Sequence, residues 1–162
     1  MFVLARAVTY ASLFIGLLLV FLPGRILERS GVRFPDRIGP VEVAGLAVTA
    51  SGAILAVWCV VTFAVMGRGT PAPFDPPRRL VLAGPYRYVR NPMYLGAGLA
   101  LAGAALFYRS LGLLGYAAAF LIVMQLFVLW YEEPALAQRF GREYQAYRQT
   151  VHRWIPRRPT RQ

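Results

Sequence analysis

Apolar residues along the chain collect into four long runs, separated by segments that carry arginine. The runs cover residues 7–22, 43–67, 92–108 and 110–131, and the second holds 25 residues without a charge. A helix needs about 20 mainly apolar residues to cross a hydrocarbon core of ~30 Å. The pattern therefore predicts an all-α, polytopic membrane helix bundle of about four transmembrane helices. Run 7–22 is placed like a signal peptide, but it lacks a clear small-x-small cleavage site and further spans follow, so it is read as a helix. Only Arg109 lies between the last two runs, with Ser110 opening the second, and this two-residue junction predicts a tight antiparallel helical hairpin. Gly96, Ala100 and Ala104 recur every four residues, and Gly112 and Gly115 open the next helix. These small residues are expected to make the hairpin contact, because close backbone approach drives helix association in lipid.

Past the fourth run the period changes. Leu136, Phe140, Tyr144, Tyr147 and Val151 follow one another at steps of four, four, three and four, which marks one face of an amphipathic helix. Arg139, Arg142 and Arg148 occupy the other face, and Gly141 interrupts the helix. Two readings stand open: a helix that docks on lipid headgroups, or a lid whose tyrosines line a pocket.

Composition and charge sharpen this picture. At 162 residues the chain is expected to form one integral membrane domain, with two N-terminal spans in residues 1–70 and loop, hairpin and C-terminal helix in 71–162. The hydrophobic fraction is 57% and the mean hydropathy +0.49, above the ~45–50% apolar content of soluble domains. All 18 basic residues are arginine, against 7 acidic ones. With four spans, thirteen arginines fall on the side of the termini and five on the other, and the arginine-rich side stays cytoplasmic. Such loops between spans are explained by orientation and anionic lipid, so nucleic acid is excluded as a partner. The all-arginine, alanine-rich composition points to a bacterial inner (plasma) membrane. The lone Cys59 cannot form an intrachain disulfide and reads as a packing residue.

Two polar stretches sit on the predicted cytoplasmic side. In GPYRYVRNPMYLG (residues 84–96), Asn91 suits an N-cap and Pro92 the first helical position. The N–H groups at that helix end favour a carboxylate or phosphate. In YEEP (residues 131–134), Glu132 and Glu133 form an acidic pair in a chain poor in acids. Pro134 is expected to restart a helix whose N-terminus receives them, or the pair binds a group that is cationic or rich in N–H donors. His152 is the only histidine, so no metal site is built on histidines; it is a candidate proton acceptor near neutral pH, although a lone interfacial histidine is more often simply solvated. No phosphate-binding glycine loop and no serine-histidine-acid set is evident.

The ordered stretches RRLVLAGPYRYVRNPMYLG, YEEP and FGREYQAY, over residues 78–156, resemble the integral membrane methyltransferases related to isoprenylcysteine carboxyl methyltransferase and phospholipid N-methyltransferase. The resemblance implies S-adenosyl-L-methionine as methyl donor, held by Leu80, Val81, Tyr86, Asn91, Pro92, Met93, Tyr94, Glu132 and Glu133. It leaves the catalytic residues unspecified. Tyr144, Tyr147, Arg148 and His152 are the candidate substrate-side residues. The implied acceptor is lipophilic, an isoprenylcysteine carboxylate or a phospholipid amine. Prenylcysteine enzymes usually carry Arg-His-Pro where this chain has Arg90, Asn91 and Pro92. They also place a carboxylate-binding arginine where this chain has Val128. NPMY and YEEP look more like the phospholipid branch. Two alternatives remain: a sterol-reductase-like enzyme gripping NADPH phosphates with Arg78, Arg79, Arg87 and Arg90, or a non-enzymatic scaffold that binds lipid.

Overall fold

The computed structural model describes residues 9, 12–13, 15–67 and 79–156. Among them, helices are the only regular elements. The start of the first run, the loop arginines Arg68 and Arg78, and the terminal Arg157, Arg158 and Arg161 lie outside the described residues. A π-helical stretch, Ile15–Phe21, leads into α1 (Leu22–Arg29), so the first helix extends past the expected end at residue 22. Pro23 causes no break there because it follows the π-helical stretch directly, whose wider pairing accommodates a residue without an N–H. Three longer helices follow: α2 (Pro40–Thr62), α3 (Pro92–Phe107) and α4 (Leu111–Phe127). A π turn, Val128–Glu132, carries α4 without interruption into α5 (Glu133–Thr150).

Two helices are long and apolar enough to cross a bilayer, Pro40–Thr62 and Leu111–Thr150, a 40-residue run that kinks at Gly141 (φ 48°, ψ −120°), where the sequence places an interruption. The apolar part of the second ends at Tyr131. With 16 residues, α3 spans only about 24 Å, and it does so packed against α2. Ile54, Val57 and Val61 on α2, and Ile122, Val123 and Leu126 on α4, are exposed. Apolar surface of this extent belongs against lipid tails, and the chain is a membrane protein.

The small residues do not build the contact expected of them. Gly96 and Gly103 of α3 face Gly52 and Gly45 of α2, backbone against backbone. A methyl group added at Gly96 would stand 2.8 Å from both the Ala56 nitrogen and the Gly52 carbonyl oxygen, and one at Gly45 2.5 Å from the Phe107 nitrogen. The close pair is thus α2 with α3. Towards α4, Gly98 meets the Leu121 side chain, Gly112 lies beside Ile26 of α1, and a Cβ at Gly115 would meet nothing within 4 Å among the described residues. The hairpin itself forms through ordinary side-chain packing: Ala97 and Leu101 of α3 join Ala117 and Phe120 of α4 in the core, with Leu18 and Leu19 beside them. Arg109 takes the left-handed backbone (φ 46°) that a two-residue turn demands. The Ser110 hydroxyl accepts the Leu113 N–H and caps α4.

Candidate functional site

The two polar stretches meet at one end of the bundle. Gly84 (φ +57°) turns the chain where a side chain would press to 2.9 Å from Thr62 Oγ1, and the 3₁₀ turn Gly84–Arg87 follows. This close seat on α2 buries Tyr86 with Val81 and Cys59, and Met93 packs at the edge of the cluster. The predicted apolar face of α5 is also formed. Tyr144, Tyr147 and Val151 are buried together, with Leu80, Leu136 and Phe140 against them. The two clusters are joined where the Tyr147 hydroxyl donates to the Tyr86 carbonyl at 2.7 Å. Tyr144 and Tyr147 therefore act as packing groups under the loop. Burial pushes the Tyr144 hydroxyl up to about 12, so it stays protonated at neutral pH.

Asn91 occupies the N-cap position of α3, with Pro92 first in the helix as expected, but its side chain makes no cap. Its amide instead donates to the Arg153 carbonyl at 3.3 Å. The backbone N–H groups of Arg90 and Asn91 donate to the carbonyls of His152 and Arg153. Residues 151–154 thus form a strap across the start of α3. The His152 side chain is exposed and only its carbonyl serves the strap. Trp154 extends the strap toward the apolar layer, its indole N–H donating to Gln125 Oε1 at 2.5 Å.

Glu132 and Glu133 part company despite being neighbours. Pro134 restarts nothing, because the helix is continuous and both residues keep right-handed helical angles. The π turn supplies the reason: its wider i→i+5 pairing takes up the hydrogen bond that a proline interrupts in an α-helix. No fresh N-terminus receives the acids, and each finds side-chain partners. Glu133 is buried. Its Oε1 accepts from Arg153 Nε (2.7 Å) and lies 3.2 Å from Arg90 Nη1. Its Oε2 accepts from Arg153 Nη2 (3.0 Å) and lies 3.7 Å from Arg148 Nη2. Burial alone would raise the Glu133 carboxyl, but the Arg153 hydrogen bond and the charges of Arg90, Arg153 and Arg148 outweigh it and hold it below the usual carboxylate range. Glu132 accepts one hydrogen bond, from the Tyr94 hydroxyl at 3.0 Å. Desolvation, with Glu133 adding to it, pushes the Glu132 carboxyl up despite that bond.

Of the candidate cofactor residues, Tyr94 and Glu132 form a polar pair whose carboxylate meets no cation among the described residues, whereas Glu133 is fully engaged. Asn91 and Pro92 are buried beneath the strap, and Leu80, Val81 and Tyr86 are buried or half-buried around it. Arg148 lies 45% exposed at the rim, with its guanidinium 6.0 Å from the Tyr144 ring centroid. Arg153, Trp154 and Gln125 escaped the sequence reading. The only sequence signal for them was an amide inside an apolar run and a tryptophan shortly after the amphipathic helix.

The sequence profile describing phospholipid methyltransferases matches residues 41–143, from α2 through most of α5. No curated protein and no solved structure matches the chain. The matched stretch takes in the α2–α3 glycine contact, the whole 84–96 loop and both glutamates, and on that ground the chain belongs to the phospholipid methyltransferase family.

Proposed function

We propose that the protein transfers a methyl group from S-adenosyl-L-methionine to a lipophilic acceptor, and that the motif end of the bundle holds the donor. The observation that carries the reading is the pairing of Tyr94 with Glu132: a desolvated carboxylate satisfied by a single hydroxyl. A half-buried acid in that state gains from a cationic partner, which fits the ammonium of an amino-acid-bearing cofactor. Met93 and Tyr94 carry the first-turn N–H groups of α3 that the strap carbonyls do not engage, and such groups favour its carboxylate. When bound, the donor supplies a methyl already activated on a sulfonium. The chain's own residues then have to align and to keep water out. Tyr94 orients Glu132, the Tyr86–Tyr147 bond fixes the loop beneath the site, and the strap covers the start of α3. An acceptor dissolved in the bilayer would approach laterally, between helices.

S-adenosylhomocysteine binding to the detergent-purified protein tests the reading. The wild type is expected to bind saturably, and Glu132→Gln to bind roughly 10- to 100-fold more weakly, the usual worth of a hydrogen bond to a charged group. Absence of saturable binding by the wild type would sink it.

A further inference from the structure

Three guanidinium groups converge on the single carboxylate of Glu133, at 2.7 Å (Arg153), 3.2 Å (Arg90) and 3.7 Å (Arg148). The cluster therefore carries an excess of two positive charges over Glu133, and Glu132 meets none of the three guanidiniums among the described residues. Arg90 shows the imbalance most plainly. Its side chain is only 10% exposed, yet its Nε and Nη1 lack a hydrogen-bond partner among the described residues. Arg148 and Arg153 retain 45% and 26% exposure, so the cluster opens outward through them. Trp154, next to Arg153, is bonded to Gln125, which lies seven residues, or about 10 Å, inside Glu132 along the helix. That anchor holds Arg153 near the end of the apolar run, the side on which a headgroup layer would begin.

We infer that Arg148 and Arg153, backed by Arg90, form a binding site for the phosphodiester of a membrane phospholipid, with Glu133 as the built-in counterion that keeps the three arginines together. A guanidinium fork matches two phosphate oxygens, and one phosphodiester leaves the cluster closer to neutral than Glu133 alone does. The inference rests on the methyl-transfer reading only in making that lipid the acceptor, whose headgroup would lie beside Glu132. Arg148 and Arg153 follow the stretch matched by the family profile, which ends at residue 143.

The test is the unfolding temperature of the detergent-purified protein titrated with dihexanoyl phosphatidylglycerol, with dihexanoylglycerol and inorganic phosphate as separate arms. The charged lipid is expected to raise the midpoint saturably and dihexanoylglycerol to leave it unchanged. Arg148→Gln spares the Arg153–Glu133 bond and the strap, and it should weaken the lipid by roughly tenfold. Arg142→Gln, an exposed arginine of the same helix, should change it less than about twofold. The inference is overturned if Arg148→Gln binds like the wild type, if Arg142→Gln weakens binding equally, or if dihexanoylglycerol shifts the midpoint as much. Inorganic phosphate matching the lipid at equal concentration would overturn the lipid assignment in favour of a free anion. S-adenosylhomocysteine is titrated into the same samples. A lipid effect without it removes the methyl-transfer reading and keeps the phosphate site, and the reverse result removes only the phosphate site.

Discussion

Each end of the bundle buries a glutamate against arginine, and the two ends use that chemistry differently. At the turn end, Glu42 accepts from the Gly39 N–H (2.8 Å) and from Arg109 Nε (2.7 Å). One carboxylate, one guanidinium and one helix cap close the account, and Phe34, Phe107 and Tyr108 pack edge to face around it. At the motif end, one carboxylate faces three guanidiniums while a second carboxylate has a tyrosine for company. A matched pair needs nothing further and reads as structure. Unmatched charge of both signs within a few residues calls for a ligand with charges of its own.

Breaking the strap should have the largest effect. Arg153→Ala deletes a bidentate bond to a buried carboxylate, and a loss of about 2–3 kcal/mol in unfolding free energy is expected, together with faster hydrogen exchange at the Arg90 and Asn91 amides. Retained slow exchange there would mean that the backbone bonds alone hold the strap. The two neighbouring glutamates should next separate by pH. Glu133 is held below the usual carboxylate range, so its stabilisation is fully present above the unfolded value of ~4.3 and is lost as pH falls through its lower folded value. Glu132 is shifted the other way and must be ionised to hold an ammonium, so S-adenosylhomocysteine affinity should fall while pH is still above ~4.3, before the strap loosens. Affinity and amide exchange followed through one acid titration check the order, and simultaneous transitions would contradict it.

Tyr94→Phe removes one hydroxyl from Glu132 and should weaken S-adenosylhomocysteine by roughly 3- to 10-fold, read by the same binding measurement. At the turn end, Arg109→Ala should lower the unfolding temperature while leaving that affinity within about twofold, since additivity holds for distant sites. A large loss of affinity from Arg109→Ala would dissolve the contrast between the ends.

Much of this was legible from residue order. The spacing from Leu136 to Val151 picked out residues that do pack together, although they lie on both sides of the kink at Gly141 and Val151 stands just past the helix end. The gathering of the 84–96 stretch and YEEP at one end followed from counting spans. Gly96 and Ala100 announced a close contact but could not name the partner: a four-residue repeat describes one helix surface, while the choice of α2 over α4 depends on the glycines facing it at positions 45 and 52. Asn91 has the chemistry of a cap, yet a carbonyl from a strap 62 residues away competed for its amide. Arg153 was invisible for a similar reason, since an ion pair across 20 residues leaves no period in the sequence. The different fates of Glu132 and Glu133 also needed coordinates. Adjacent helical residues point about 100° apart, and only the surrounding elements decide which one meets arginine.

The π turn at Val128–Glu132 acts as a phase adjuster. Its extra residue sets the bearing of everything downstream independently of the lipid-facing register upstream, much as a spacer retimes a gear. Removing one residue from it would swing both glutamates and the whole of α5 by about 100° while leaving the bilayer contacts of α4 in place. The membrane anchor and the chemical end of this long helix can therefore be tuned separately, and a single-residue change of length is enough to turn one against the other.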